Sequence, residues 1–129
     1  MIRLQKDIDE LFAMRMSLAR SGNHTKMLSS LYLLRTAEEN SEPILFLLHA
    51  PKKFIKQAHL RNKLKRWMRE AIRQSEQVEK VNAILAEKNT QALVLIRADF
   101  KPSKDHAWLQ IQEDIRIIMN RLMKNLHSS

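Results

Sequence analysis

The sequence contains no cysteine. That excludes disulfides and thiolate metal sites, and it fits a reducing compartment. Glycine occurs once, at Gly22 in the turn signal Ser21-Gly22-Asn23, so a Gly-rich phosphate loop cannot be built. No apolar run reaches 18 residues, and no membrane span is expected. The opening MIRLQKDIDELF has acids among its first ten residues and no apolar signal core, which argues against secretion. There is no internal repeat and no low-complexity segment. His24, His49, His59, His106 and His127 show no metal-ligand spacing. The acids are scattered, among them Asp7, Asp9, Glu10, Glu38, Glu39, Glu42, Asp99, Asp105, Glu113 and Asp114. None groups into a two-metal carboxylate site, and no Ser/His/Asp constellation is present. These absences favour a binding protein over an independent catalyst. A chain of 129 residues suits one domain, residues 1–129, and 44% apolar residues supply a modest core.

What the chain does have is one dense basic stretch. Lys52 to Arg73 holds nine Lys or Arg against a single acid, Glu70. The remaining residues carry 14 basic and 13 acidic groups, so nearly all of the +9 net charge is local. Such a patch is costly unless an anion meets it. On a helix starting near Ala58, Leu60, Leu64, Trp67, Met68, Ala71 and Ile72 form one apolar side. Arg61, Asn62, Lys65, Arg66, Arg69 and Arg73 fall on the adjoining face. The competing reading is a solvated charged face, but those mix both signs and this one is almost purely basic. A soluble cytoplasmic protein with a polyanionic partner follows from composition. Nucleic acid is the first reading of that partner and an anionic membrane surface the second.

In chain order, the spacing of Ile2, Leu4, Ile8, Leu11 and Phe12 predicts a short helix from about Gln5 to Ala13. An extended segment is expected through Ser17 to Arg20. Leu31–Arg35 reads as a strand, Glu38–Pro43 as a loop, and Ile44–Ala50 as a buried central strand bounded by Pro43 and Pro51. Together the two runs predict an antiparallel hairpin. After the basic helix the pattern stays helical to about Lys88, with no visible break point. Gln91–Ala98 is the next strand, Phe100–Ser103 a loop, and Lys104 or Asp105 to Leu126 the last helix. The order predicts an α+β fold, a sheet with helices on it.

The run RNKLKRWMRE, preceded by PKKFIKQAH, resembles the signature of the bacterial ribonuclease P protein component. That family carries Arg-Asn-Arg-x-x-Lys-Arg-x-x-Arg-Glu on a helix, a few residues after a strand ending in Lys-Lys or Lys-Arg. Arg61 and Asn62 open the run here, and Lys65, Arg66, Arg69 and Glu70 supply its later charges. Lys63 departs from the pattern, keeping the charge and losing the planar fork that binds phosphate bidentately. The flanking pattern fits from about Arg3 to Leu126. The resemblance implies a small ribosomal-protein-like α-β sandwich, with a central mostly antiparallel sheet and a left-handed β-α-β crossover. It implies an accessory subunit of a ribonucleoprotein endoribonuclease, which removes the 5′ leader from precursor tRNA. Catalysis is then expected from the RNA subunit, which also binds most of the Mg²⁺. The expected partners are ribonuclease P RNA and precursor tRNA, with no membrane and no DNA.

The resemblance also implies roles. Lys52, Lys53 and Lys56 extend an RNA-binding patch formed by Arg61, Asn62, Lys63, Lys65, Arg66 and Arg69. Phe12, Tyr32 and Arg97 are expected to line a leader cleft. Phe12 matches the second of two aromatic positions in the family's first helix, and Ile8 replaces the first. Phe12 reads equally as plain core packing. Trp67 reads as core at the edge of its stripe, and Trp108 stays open between core and surface. A ribosomal or ribosome-assembly protein is the main rival, since it would show the same basic helix. A helix-turn-helix DNA binder would need a second short helix before the basic one, which Pro51-Lys52-Lys53 does not supply. A standalone nuclease is the enzyme rival.

Overall fold

The computed structural model describes residue 25 and residues 27–98 and 107–128. The expected first helix with Ile8 and Phe12, the extended segment at 17–20 and the loop at 100–103 lie outside the described residues. The described elements are β1 (Leu28–Thr36), β2 (Ile44–His49), α1 (Ala58–Gln74), α2 (Glu76–Glu87), β3 (Thr90–Ala98) and α3 (Ala107–Ser128). The fold is α+β, as the element pattern predicts.

The sheet order corrects the expected hairpin. The strands run β1-β3-β2, so β3 separates the two that the sequence pairs. β1 pairs antiparallel with β3, and β2 pairs parallel with β3. Among the described residues the sheet is therefore mixed, with one antiparallel and one parallel pairing. The physical reason is burial on two faces. Gln91 to Ile96 are all buried, whereas β1 and β2 each hold half-buried positions. The strand that is apolar on both faces takes the centre. β2 reaches its parallel neighbour only by a crossover, and α1 and α2 provide it.

Ser75 divides the crossover into two helices. It ends α1, and its hydroxyl accepts the Val78 N–H at 3.4 Å as the N-cap of α2. Glu76 and Glu79 follow in the first turn, where the helix dipole favours acids. After α2 the chain turns through Asn89, whose φ of 51° is left-handed, and among the described residues Asn40 is the other non-glycine residue with positive φ. Asparagine tolerates this region, and it serves here in a chain with almost no glycine.

The three helices cover one face of the sheet. Leu64, Met68, Ala71 and Ile72 of α1 join Val81, Leu85, Ile111, Ile115, Met119 and Leu122 over Ile44, Phe46, Val94 and Ile96. Each fully buried side chain of this size contributes about 1.5–3 kcal/mol of transfer free energy. The opposite face carries a smaller cluster of Leu31, Leu93 and Leu95, flanked by Leu33, Leu45 and Leu47. Asp114 is fully buried on the apolar stripe of α3. It accepts the Met27 backbone N–H at 2.8 Å and the Gln110 amide at 2.7 Å, which ties the start of β1 to α3.

Candidate nucleic-acid interface

The site begins in the loop between β2 and α1. Lys52, Lys53 and Lys56 face solvent there, and Ile55 is 2% exposed in the core. The Pro51 carbonyl accepts the N–H groups of Phe54 at 3.2 Å and Ile55 at 3.0 Å, closing a tight turn. The apolar side chain pins the turn and the three lysines stand outward. Lys53 Nζ lies 5.5 Å from the centre of the Phe54 ring, a cation–π contact.

Arg61 belongs to this loop as much as to the helix. Its guanidinium Nη1 donates to the Ile55 carbonyl at 2.9 Å and to the Lys56 carbonyl at 2.8 Å. No side chain caps the start of α1 at Gln57, and no acid sits in its first turn. Arg61 supplies a tie there instead.

The outward row of α1 is Asn62, Arg66, Arg69 and Arg73, all exposed and spaced i, i+4, i+7, i+11. That spacing is one helical stripe opposite the buried Leu64, Met68 and Ile72. Arg73 pairs with Glu70 at 2.6 Å, the one acid of the stretch. Arg66 and Arg69 have no acidic partner among the described residues. Lys65 is half-buried on one flank, and Lys63 is exposed on the other. Lys63 Nζ sits 4.8 Å from the centre of the Trp67 ring. The exception to the arginine motif therefore has an aromatic partner.

The two described members of the expected leader cleft do not share a face. Arg97 is paired in register with Ser29 and His49, on the face of the leucine cluster. Tyr32 is paired with Val94 and points to the helices. Its hydroxyl accepts a hydrogen bond from Asn125 of α3 at 2.6 Å. Tyr32 packs against the main core, with Ser30, Ile118, Arg121 and Leu122 around it. Arg97 instead lies with His49 at the sheet end that leads into Lys52 and Lys53. Phe12 lies outside the described residues.

Reading the sequence missed the role of Asp114, which it grouped with the scattered acids. The signal was available: an acid three residues after Ile111 and four before Ile118 interrupts an apolar stripe. It also left Trp108 open. Trp108 meets Trp67 edge to face, with ring centres 6.3 Å apart and planes at 62°. Among the described residues, no three His, Asp or Glu side chains gather as a cation site. No described helix is long and apolar enough to cross a membrane.

A family model described as Ribonuclease P matches residues 6–123, which takes in the loop, α1 and most of α3. No curated protein and no solved structure matches the chain.

Proposed function

The chain belongs to the ribonuclease P family, and from that premise we propose that it binds the catalytic RNA through α1 and holds the 5′ leader of precursor tRNA near Arg97. The family membership makes it a protein subunit of an endoribonuclease complex. The observation that carries the finer reading is the outward row of α1. Arg66 and Arg69 are exposed and unmatched by acids among the described residues, on a helix whose other side is core.

The chemistry is that of bringing two polyanions together. Arginine forks bind phosphate oxygens in pairs and carry no base preference, so they position RNA without reading it. The Lys52–Lys56 turn adds three cations beside the start of α1, and Arg61 keeps the turn in place. Arg97 and His49 lie at the same end of the sheet. A leader strand there would reach cations from both sides. Leader binding of this kind is sequence-tolerant, since phosphate contacts and stacking dominate it. Cutting is assigned to the RNA subunit and its Mg²⁺, as the family resemblance implies. The protein's part is to lower repulsion and add contacts outside the mature tRNA.

Reconstitution tests this. The protein is combined with a bacterial ribonuclease P RNA at low Mg²⁺, and cleavage at the mature 5′ end is read. Protein alone is expected to leave precursor tRNA intact, and the complex to cut it at Mg²⁺ levels where the RNA alone is slow. Cleavage by RNA-free protein, surviving nuclease pretreatment, would overturn the division of labour. Copurification with ribosomal subunits in place of one structured RNA would favour the ribosomal reading.

A further inference from the structure

Beside the arginine row, α1 and α3 enclose a shallow groove of about 610 Å³ lined by Arg66, Trp67, Glu70, Gln74 and Trp108. We propose that this groove takes an unpaired nucleobase of the catalytic RNA. The proposal rests on the reading of α1 as the RNA-binding helix and adds a base contact to its phosphate contacts.

The floor is aromatic. Trp67 and Trp108 are both half-buried, with enough of each left open to line the groove. Any base can stack on an indole, whatever its identity. The mouth is cationic. Arg66 lines it, and Lys63 sits over the Trp67 ring at 4.8 Å. The single acid, Glu70, is neutralised by Arg73 at 2.6 Å. An aromatic floor beside cations that have no acidic partner among the described residues complements a nucleotide, with its planar base and its phosphate. An acidic peptide would match the cations and leave the indoles without a planar partner. The Gln74 amide offers both a donor and an acceptor for a base edge.

The position selects the catalytic RNA over the leader. The groove shares Arg66 with the row assigned to the catalytic RNA. Arg97 lies on the opposite face of the sheet from the helices. A strand held at Arg97 does not run along the α1–α3 flank.

The chain has two tryptophans, and both are in this groove, so intrinsic fluorescence reports on it directly. The intact protein is titrated with ribonuclease P RNA. The emission is expected to be quenched, and acrylamide is expected to lose access to the indoles. Trp108→Ala should weaken RNA binding by roughly tenfold, the scale of one lost stacked base, and leave the salt dependence unchanged because no charge is removed. Trp108→Phe should retain most of the affinity. Thermal melting followed by circular dichroism separates this from unfolding. If Trp108→Ala proves unstable, the wild-type fluorescence and the Trp108→Phe affinity decide the matter.

RNA binding with unchanged emission and unchanged acrylamide access would overturn the proposal and leave the function reading intact. Quenching by precursor tRNA but not by the catalytic RNA would also overturn it, by giving the groove to the leader. Absence of any binding to ribonuclease P RNA would remove both readings together.

Discussion

The Arg61 guanidinium donates to the Ile55 carbonyl at 2.9 Å, and the same nitrogen reaches the Lys56 carbonyl at 2.8 Å. An arginine that opens the basic motif is thus spent partly on its own backbone. It holds the lysine-bearing turn against the first turn of α1.

Arg61→Ala should therefore act on stability as well as on RNA. Charge-assisted bonds to two backbone carbonyls, one of them partly buried, are lost, at a cost of about 1–3 kcal/mol. Amide exchange in the 51–57 turn should rise along with a lowered melting temperature. A normal melting temperature with weakened RNA binding would mean that Arg61 serves the RNA alone.

Arg66→Ala should do the reverse. The side chain is exposed and has no acidic partner among the described residues, so folding should be unchanged. Each phosphate contact contributes roughly 0.7–0.9 to the log–log slope of affinity against salt. The variant should lose about one contact from that slope. Lys63→Arg should keep the contact with Trp67 and hold or tighten RNA binding, since a guanidinium both stacks and forks. A salt titration of wild type and both variants checks this. An unaltered slope for Arg66→Ala would reduce the row to a solvated surface.

Arg97→Gln should weaken precursor tRNA binding more than mature tRNA binding, because only the precursor carries the leader. Tyr32→Phe should leave that ratio alone and lower stability by about 1 kcal/mol through the lost Asn125 bond. The ratio of the two dissociation constants is the readout. A shift with Tyr32→Phe, or none with Arg97→Gln, would contradict the assignment of the leader to the Arg97 face of the sheet.

Asp114→Leu should destabilise the protein by about 1–3 kcal/mol despite matching the surrounding apolar stripe. The Met27 N–H would lose its acceptor in a partly buried place. Urea unfolding measures it. An unchanged or higher midpoint would show that the carboxylate contributes nothing net at this point.

The sequence by itself determined what depends on neighbours along the chain. Leu64, Met68 and Ile72 recur at helical spacing, so α1 and its buried side were legible, and with them the outward arginines. The strand runs were legible for the same reason. The motif in RNKLKRWMRE pointed to the family. Tertiary structure alone decided what depends on residues far apart. Ile44–His49 and Gln91–Ala98 are both apolar runs, and pattern does not rank them for the central place. Burial on both faces put β3 there and made the sheet mixed. Strand register then set the faces: Tyr32 opposite Val94 turns toward α3, and Arg97 opposite Ser29 turns away. A shift of one residue would exchange them, and nothing local to either residue specifies it. The break at Ser75 lay between these cases, as Ser-Glu is a capping signal that becomes decisive only once α2 packs on α3 and β3. The meeting of Trp67 and Trp108 was the least legible, because 41 positions separate them and only the packing of α3 on α1 brings the rings together.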